Sequence, residues 1–174
     1  QGLGLQTTGA GATLAAAREP ARVTARGVRV GVLSYNCVGP RESWATSRKA
    51  GCAYVKVLTH YELDYASPGG PPTIYTFAAP ESLEAMAADI QALRAQVDTL
   101  VVALHKGVGH TPARIERYER AVSHAAIDAG ADIVMLDNFT DEAVREALGL
   151  VAGRAIVEVS GGITIDRITR LASS

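Results

Sequence analysis

The chain has little cysteine, few aromatic residues, no long apolar run and no excess of either charge. Cys37 and Cys52 are the only 2 cysteines among 174 residues. They form no C-x-x-C pair, so neither a metal finger nor a thioredoxin-like redox centre is expected, and both should be free thiols. Lys and Arg number 17 against 18 Asp and Glu, for a net charge of -1. That balance offers no electrostatic footprint for nucleic acid or for an anionic membrane surface. Aromatic residues make up 5% of a chain that is 48% hydrophobic, mostly Ala and Val. No window approaches the roughly 20 apolar residues of a membrane span, so no membrane segment is expected. No charged n-region followed by an apolar h-region opens the chain at Gln1, so no secretory signal is visible and a cytoplasmic location is expected. A start without Met suggests that sequence precedes it. At this length one domain, or a little more, can bury a sizeable core.

What the chain does have is alternation of helical and strand patterns. Gly9-Ala10-Gly11 reads as a tight turn before a helix-prone stretch that Pro20 stops. Residues 21–25 and 28–35 alternate around Gly27 and predict a hairpin with a largely buried second strand. A loop rich in Gly, Pro, Arg and Ser covers 36–50, strand-like composition resumes at 54–60, and 66–72 is an irregular excursion. Leu83, Met86, Ala87, Ile90, Leu93 and Val97 mark an amphipathic helix, with Asp89, Gln91 and Arg94 expected on its solvent side. The run TLVVAL predicts a buried strand ending at His105-Lys106-Gly107.

The stretch 125–138 is the pivot. A helix of roughly five turns is expected from Thr111-Pro112 to Ala129, closed by Gly130. Ile133-Val134-Met135-Leu136 then suits a strand covered on both faces, which delivers Asp137 and Asn138 to its C-terminal end. Thr140 caps a further helix running to about Val151, residues 155–159 form the next buried strand, and Thr164 starts a last helix. The order from residue 82 is αβαβαβα, which predicts parallel strands joined by right-handed crossovers in an α/β fold.

Chemistry is expected at strand ends. His105 can ligate a metal, yet a metal needs three or four converging groups. His60 ends another strand, His110 lies in a loop and His124 falls off its helix's apolar face. The stronger candidate is Ser160-Gly161-Gly162, between a strand and a helix. Paired glycines let the backbone approach an oxyanion closely while amides and the helix start attract it, so the three residues are expected to hold phosphate. Asp137 and Glu158 stand at the same rim, where both carboxylates can face a sugar or a hydrated magnesium ion. The expected partner is therefore a phosphate-bearing small molecule.

Two resemblances attach to these motifs. TTGAGATLAAAREP, GVRVGVLSYN, the strand ending at His105 and AAIDAGADIV resemble the CapA family, capsule and poly-gamma-glutamate synthesis proteins of calcineurin-like metallophosphatase fold. The likeness runs over about 2–134, and it implies a layered α/β sandwich with divalent metal, Mn or Mg, bound in part through His105. Of that family's ligands only His105 is present, and Lys106 stands where the family has Trp. From about residue 129 onward, DIVMLDNFTDEAVREAL and IVEVSGGIT resemble the C-terminal barrel segment of quinolinate phosphoribosyltransferase, nicotinate-nucleotide pyrophosphorylase (carboxylating). That likeness implies Asp137 and Glu158 at the ribose or its magnesium, and Ser160, Gly161 and Gly162 at the phosphate.

The two together imply a composite chain. Residues 1–130 form a partial calcineurin-like sandwich, and 131–174 continue into a βαβα unit of TIM-barrel type. Its expected role is that of a CapA-like capsule synthesis protein, incomplete and inactive as it stands, carrying a phosphate-binding fragment. The alternative is a glycosyltransferase of NAD biosynthesis that makes nicotinate mononucleotide from quinolinate and phosphoribosyl pyrophosphate. Strands built for burial with too few neighbours also lead to expected self-association.

Overall fold

The computed structural model describes residues 5–108, 115–137 and 139–172. A short strand β1 (Ala10–Gly11) leads into helix α1 (Leu14–Arg18), which Thr13 caps by accepting from the Ala16 amide. Strands β2 (Ala21–Ala25) and β3 (Val28–Asn36) form the expected hairpin. Arg26 and Gly27 close it with φ of 52° and 83°, a left-handed pair that matches the twist of two-residue hairpins. After a 3-10 turn at Arg41–Ser43, β4 (Gly51–Cys52) pairs with β1.

Strands β5 (Val57–Glu62) and β6 (Thr73–Ala78) pair antiparallel in a separate two-stranded sheet. The sequence reading did not single out β6. His60 sits in mid-strand opposite Tyr75, not at a strand end.

The remainder is βα units. Helix α2 (Pro80–Arg94) buries Met86, Ile90 and Leu93, one stripe at helical spacing, and is followed by β7 (Thr99–His105). Helix α3 (Arg117–Asp128) precedes β8 (Ile133–Asp137), helix α4 (Asp141–Val151) precedes β9 (Ile156–Ser160), and α5 (Ile165–Ala172) follows. Helix α3 is shorter than expected. Its N-cap is Glu116, in a reciprocal capping box with Glu119, so the first turn starts after Ile115. The expected cap pair Thr111-Pro112 lies outside the described residues, as does Asn138. Gly130, with φ 115°, stops α3 as expected, and Thr140 caps α4.

The main sheet has the order β2-β3-β7-β8-β9. β3, β7, β8 and β9 run parallel, with antiparallel β2 at one edge, as expected of an α/β chain. Each crossover steps to the next strand in the same direction, so right-handed connections place α2, α3 and α4 on one face. That face carries the core, with Leu33, Tyr35, Cys37 and Leu100 packed against Met86, Ile90, Leu93, Tyr118 and Val122. Gly31 belongs to the same face. A Cβ there would come within 2.9 Å of Leu93 Cδ2 and 3.0 Å of Val97 Cγ1, so its absence lets α2 sit close to β3.

The opposite face carries no helix among the described residues, although Gly9 lies against Ser34 on it. Residues paired across a ladder share a face. Val23, Val30, Val101, Ile133 and Ile156 therefore line up through the pairs Val23↔Val30, Val32↔Val101, Val101↔Ile133 and Ile133↔Ile156. Val23 and Val28 are exposed, Met135 is 58% exposed and Ile156 66%. The expectation that β8 and β9 are buried on both faces is therefore corrected. Their apolar runs satisfy a helix layer on one side only.

The solvent side of α2 also differs from expectation. Asp89 accepts from Arg18 Nε at 2.6 Å, Arg18 Nη2 at 2.7 Å and the Tyr35 hydroxyl at 2.6 Å. Arg94 pairs with Asp132, whose other contact is the Leu100 amide at 2.7 Å. These charges tie α2 to α1 and to the sheet, and only Gln91 of the three is simply exposed.

Candidate functional site

The parallel strands end on one rung. Asn36 pairs with His105 and Asp137 with Ser160, so the C-terminal ends of β3, β7, β8 and β9 form a common rim. Between β7 and β8 the described ladder is the single pair Val101↔Ile133. Asp132 bonds this junction from below, through its amide to Leu100 O at 2.9 Å and its carboxylate to the Leu100 amide. Above that pair no further rung joins β7 to β8 among the described residues. Crevices at carboxyl ends of parallel strands are where open α/β sheets bind ligands.

One wall is β7 and the turn behind it. His105 is exposed, and its carbonyl accepts from the Cys37 amide at 2.9 Å. Lys106 Nζ donates to Glu119 Oε2 at 3.0 Å, and Glu119 is buried. The Tyr118 hydroxyl donates to Gly107 O at 3.0 Å and accepts from the Gly107 amide at 2.9 Å. Helix α3 thus anchors the turn after His105 by two side chains. The sequence reading missed both, although Tyr118 and Glu119 stand one position apart at the start of a helical pattern. Burial pushes the neighbouring Cys37 thiol up to about 11, with Lys106 acting against the rise.

The other wall is the turn after β9. Gly161 and Gly162 have φ of 78° and 60°, both left-handed. Arg167 from α5 donates to Gly161 O at 2.9 Å through Nη1, to Asp141 Oδ1 at 2.7 Å through Nε, and to Phe139 O. This one guanidinium clamps the turns that follow β8 and β9. Its carboxylate partner Asp141 is held below the usual carboxylate range by the hydrogen bond from Arg167. Because the peptide unit is planar, a Gly161 carbonyl turned toward Arg167 turns the Gly162 amide away from it. Glu158 is exposed one rung below Ser160, beside Met135. Arg167 was not foreseen as part of this wall. Its position three residues past Thr164, in the first turn of α5, was the available signal.

The expected residues are thus partly assembled. Asp137, Ser160, Gly161 and Gly162 come to one place, with Glu158 adjoining and His105 at the end of β7 on the same rim. His60 is elsewhere, on the β5–β6 hairpin, and His110 lies outside the described residues. No group of three or more His, Cys, Asp or Glu that could hold a metal ion occurs among the described residues. The described donor set therefore does not fit a divalent metal pair, and no chemistry is derived through one. Two described cavities, of about 330 Å3 beside Arg18 and Gln96 and about 180 Å3 beside Tyr54 and Ser82, both lie away from the rim.

A family model described as bacterial capsule synthesis protein PGA_cap matches residues 1–136. The chain belongs to that family. The match takes in β1 to β7, the helices between them, α3 and β8 as far as Leu136, so His105 and its α3 anchors lie within the PGA_cap region. Asp137 and the Ser160–Gly162 turn lie beyond it. No described helix is long and apolar enough to cross a membrane.

Proposed function

We propose that this capsule synthesis protein holds a phosphate-bearing small molecule at the rim, with Ser160, Gly161 and Gly162 on the phosphate. Asp137 and Glu158 take the ribose or a hydrated magnesium ion. The observation that carries this reading is the Arg167 clamp. It draws the Gly161 and Gly162 carbonyls inward and leaves the following amides to an anion, while the start of α5 adds its positive end. The role proposed is binding, without metal-dependent hydrolysis, because the described donors do not converge. We further propose that it serves CapA-like poly-gamma-glutamate synthesis, and that it does so in the cytoplasm.

A second reading rests on the unit β8-α4-β9-α5, whose strand ends bring Asp137 opposite Ser160. In it, 131–174 are a barrel-type fragment of nicotinate-nucleotide pyrophosphorylase joined to a partial calcineurin-like 1–130. The joint lies between α3 and β8.

Calorimetric titration with inorganic phosphate and with ribose 5-phosphate tests both. Binding in the millimolar range is expected, for which about 4 kcal/mol suffices. Gly161→Val should remove both ligands by blocking backbone approach, since a β-branched residue does not tolerate the left-handed conformation. Asp137→Asn should spare phosphate and weaken the ribose ligand. Phosphate affinity unchanged in Gly161→Val would refute the proposed site.

A further inference from the structure

The smaller cavity, of about 180 Å3, opens between α1, the segment before β5 and the first turns of α2. Leu14, Ala85 and Met86 give it an apolar side, and Arg18, Tyr54 and Glu81 a polar one. The lining is fixed by its own contacts. Ser82 Oγ donates to Ala79 O at 3.0 Å and accepts from the Lys56 amide at 3.0 Å, and the Tyr35 hydroxyl donates to Asp89. Trp44 stacks on Tyr54 with ring centroids 4.3 Å apart and planes 12° from parallel, which holds the tyrosine ring in place. Arg18 commits Nε and Nη2 to Asp89 and to the Ala85 carbonyl. Three groups on this fixed lining keep bonding capacity. Arg18 Nη1, the Tyr54 hydroxyl and the Glu81 carboxylate have no hydrogen-bond or ion-pair partner among the described residues, so Arg18 and Glu81 do not pair with each other.

We propose that this cavity binds a free α-amino acid with a short apolar side chain. The carboxylate meets Arg18 Nη1 and the Tyr54 hydroxyl, the ammonium group meets Glu81, and the side chain lies on Leu14, Ala85 and Met86. Charge, spacing and volume select that class. The lining presents one cation and one anion, so a ligand with a single charge would desolvate one of them without matching it. Glu81 precedes Ala85, whose carbonyl accepts from Arg18, by one helical turn, or about 6 Å along the axis. With a hydrogen bond of about 2.9 Å at each end, opposite charges on neighbouring carbons bridge such a gap. At about 30 Å3 per water, 180 Å3 takes about six water-sized groups, which is the bulk of an amino acid and excludes a nucleotide. The cavity lies away from the strand-end rim, and the proposal stands independently of phosphate binding there.

Calorimetric titration of the intact chain with L-valine tests the proposal, alongside tryptophan fluorescence and methionine methyl NMR. L-Valine should bind with a Kd of roughly 1 mM. It should alter the emission of Trp44, the only tryptophan, through the stacked Tyr54, and move the Met86 methyl resonance while Met135 on the sheet stays unmoved. 3-Methylbutanoate lacks the ammonium group and 2-methylpropylamine lacks the carboxylate, and each should bind at least about 10-fold more weakly. Glu81→Gln should weaken L-valine about 10-fold without weakening 3-methylbutanoate, and with an unchanged circular dichroism spectrum. Tyr54→Phe keeps the stack and should weaken both. L-Valine that fails to bind up to about 50 mM overturns the proposal. So does either truncated analogue binding as well as L-valine, or an affinity for L-valine unaltered in Glu81→Gln. The comparison of analogues needs no variant, and binding that leaves the Met86 methyl unmoved also overturns it.

Discussion

Replacing Asp89 with Ala removes three hydrogen-bond acceptances at once, and the consequences can be worked out from its partners. The Arg18 and Asp89 side chains are 31% and 22% exposed, so the pair is shielded but still wetted. Breaking a fully buried pair costs about 3 to 5 kcal/mol, and a surface pair is worth at most about 1. This one falls near 1 to 2. Tyr35, 2% exposed, would also keep a buried hydroxyl without its acceptor, which adds about 1 to 2 kcal/mol. The expected loss for Asp89→Ala is about 2 to 4 kcal/mol. Asp89→Asn retains an acceptor for Tyr35 and should lose about half as much. Urea unfolding followed by far-ultraviolet circular dichroism measures both, and a double-mutant cycle with Tyr35→Phe should show coupling of about 1 kcal/mol or more. A loss under about 0.5 kcal/mol for Asp89→Ala, or strict additivity with Tyr35→Phe, would refute the reasoning.

Arg167→Ala, which removes the clamp on the two rim turns, should cost about 1 to 3 kcal/mol in urea unfolding and abolish phosphate binding at the turn. Cys37, buried and with its thiol pushed up to about 11, should resist alkylation by iodoacetamide at pH 8 in the folded protein and react in urea, as read by mass spectrometry. Acid should destabilise the chain late. Asp98 is held at about 2 by hydrogen bonds from Arg29, and Asp141 is also depressed. A lowered folded pKa contributes stability that is full above the unfolded value near 3.9 and is lost as pH falls through the folded one, so urea midpoints should drop between about pH 4 and 2. The purified chain should not hydrolyse an aryl phosphate with Mn2+. Turnover that His105→Ala abolishes would contradict the binding-only role.

The elements whose sequence carries its own punctuation were legible. The β2–β3 hairpin, the Gly130 stop, the Thr140 cap and the parallel order of β7, β8 and β9 all follow from local signals. Burial on both faces was not, because an apolar run such as Ile133 to Leu136 reads the same whether one or two layers cover it. Asp89 and Arg94 were placed in water because helical spacing shows where an apolar stripe lies but not which charges meet a partner distant in sequence. The start of α3 was drawn toward Thr111-Pro112, whereas Glu116 and Glu119 close a capping box further on. At the rim, the Ser160–Gly162 turn was readable from its paired glycines. The Arg167 clamp was not, since Arg167 meets Asp141 across 26 residues.

The most direct test of the phosphate-binding rim is a two-dimensional amide NMR titration of the intact chain with inorganic phosphate to about 50 mM. The account predicts saturable shifts in the amides of 160–164, smaller ones at Arg167 and His105, and none on the β5–β6 hairpin. Amides of 160–164 that stay unmoved over the whole range would contradict it, leaving the two glycines as turn formers alone.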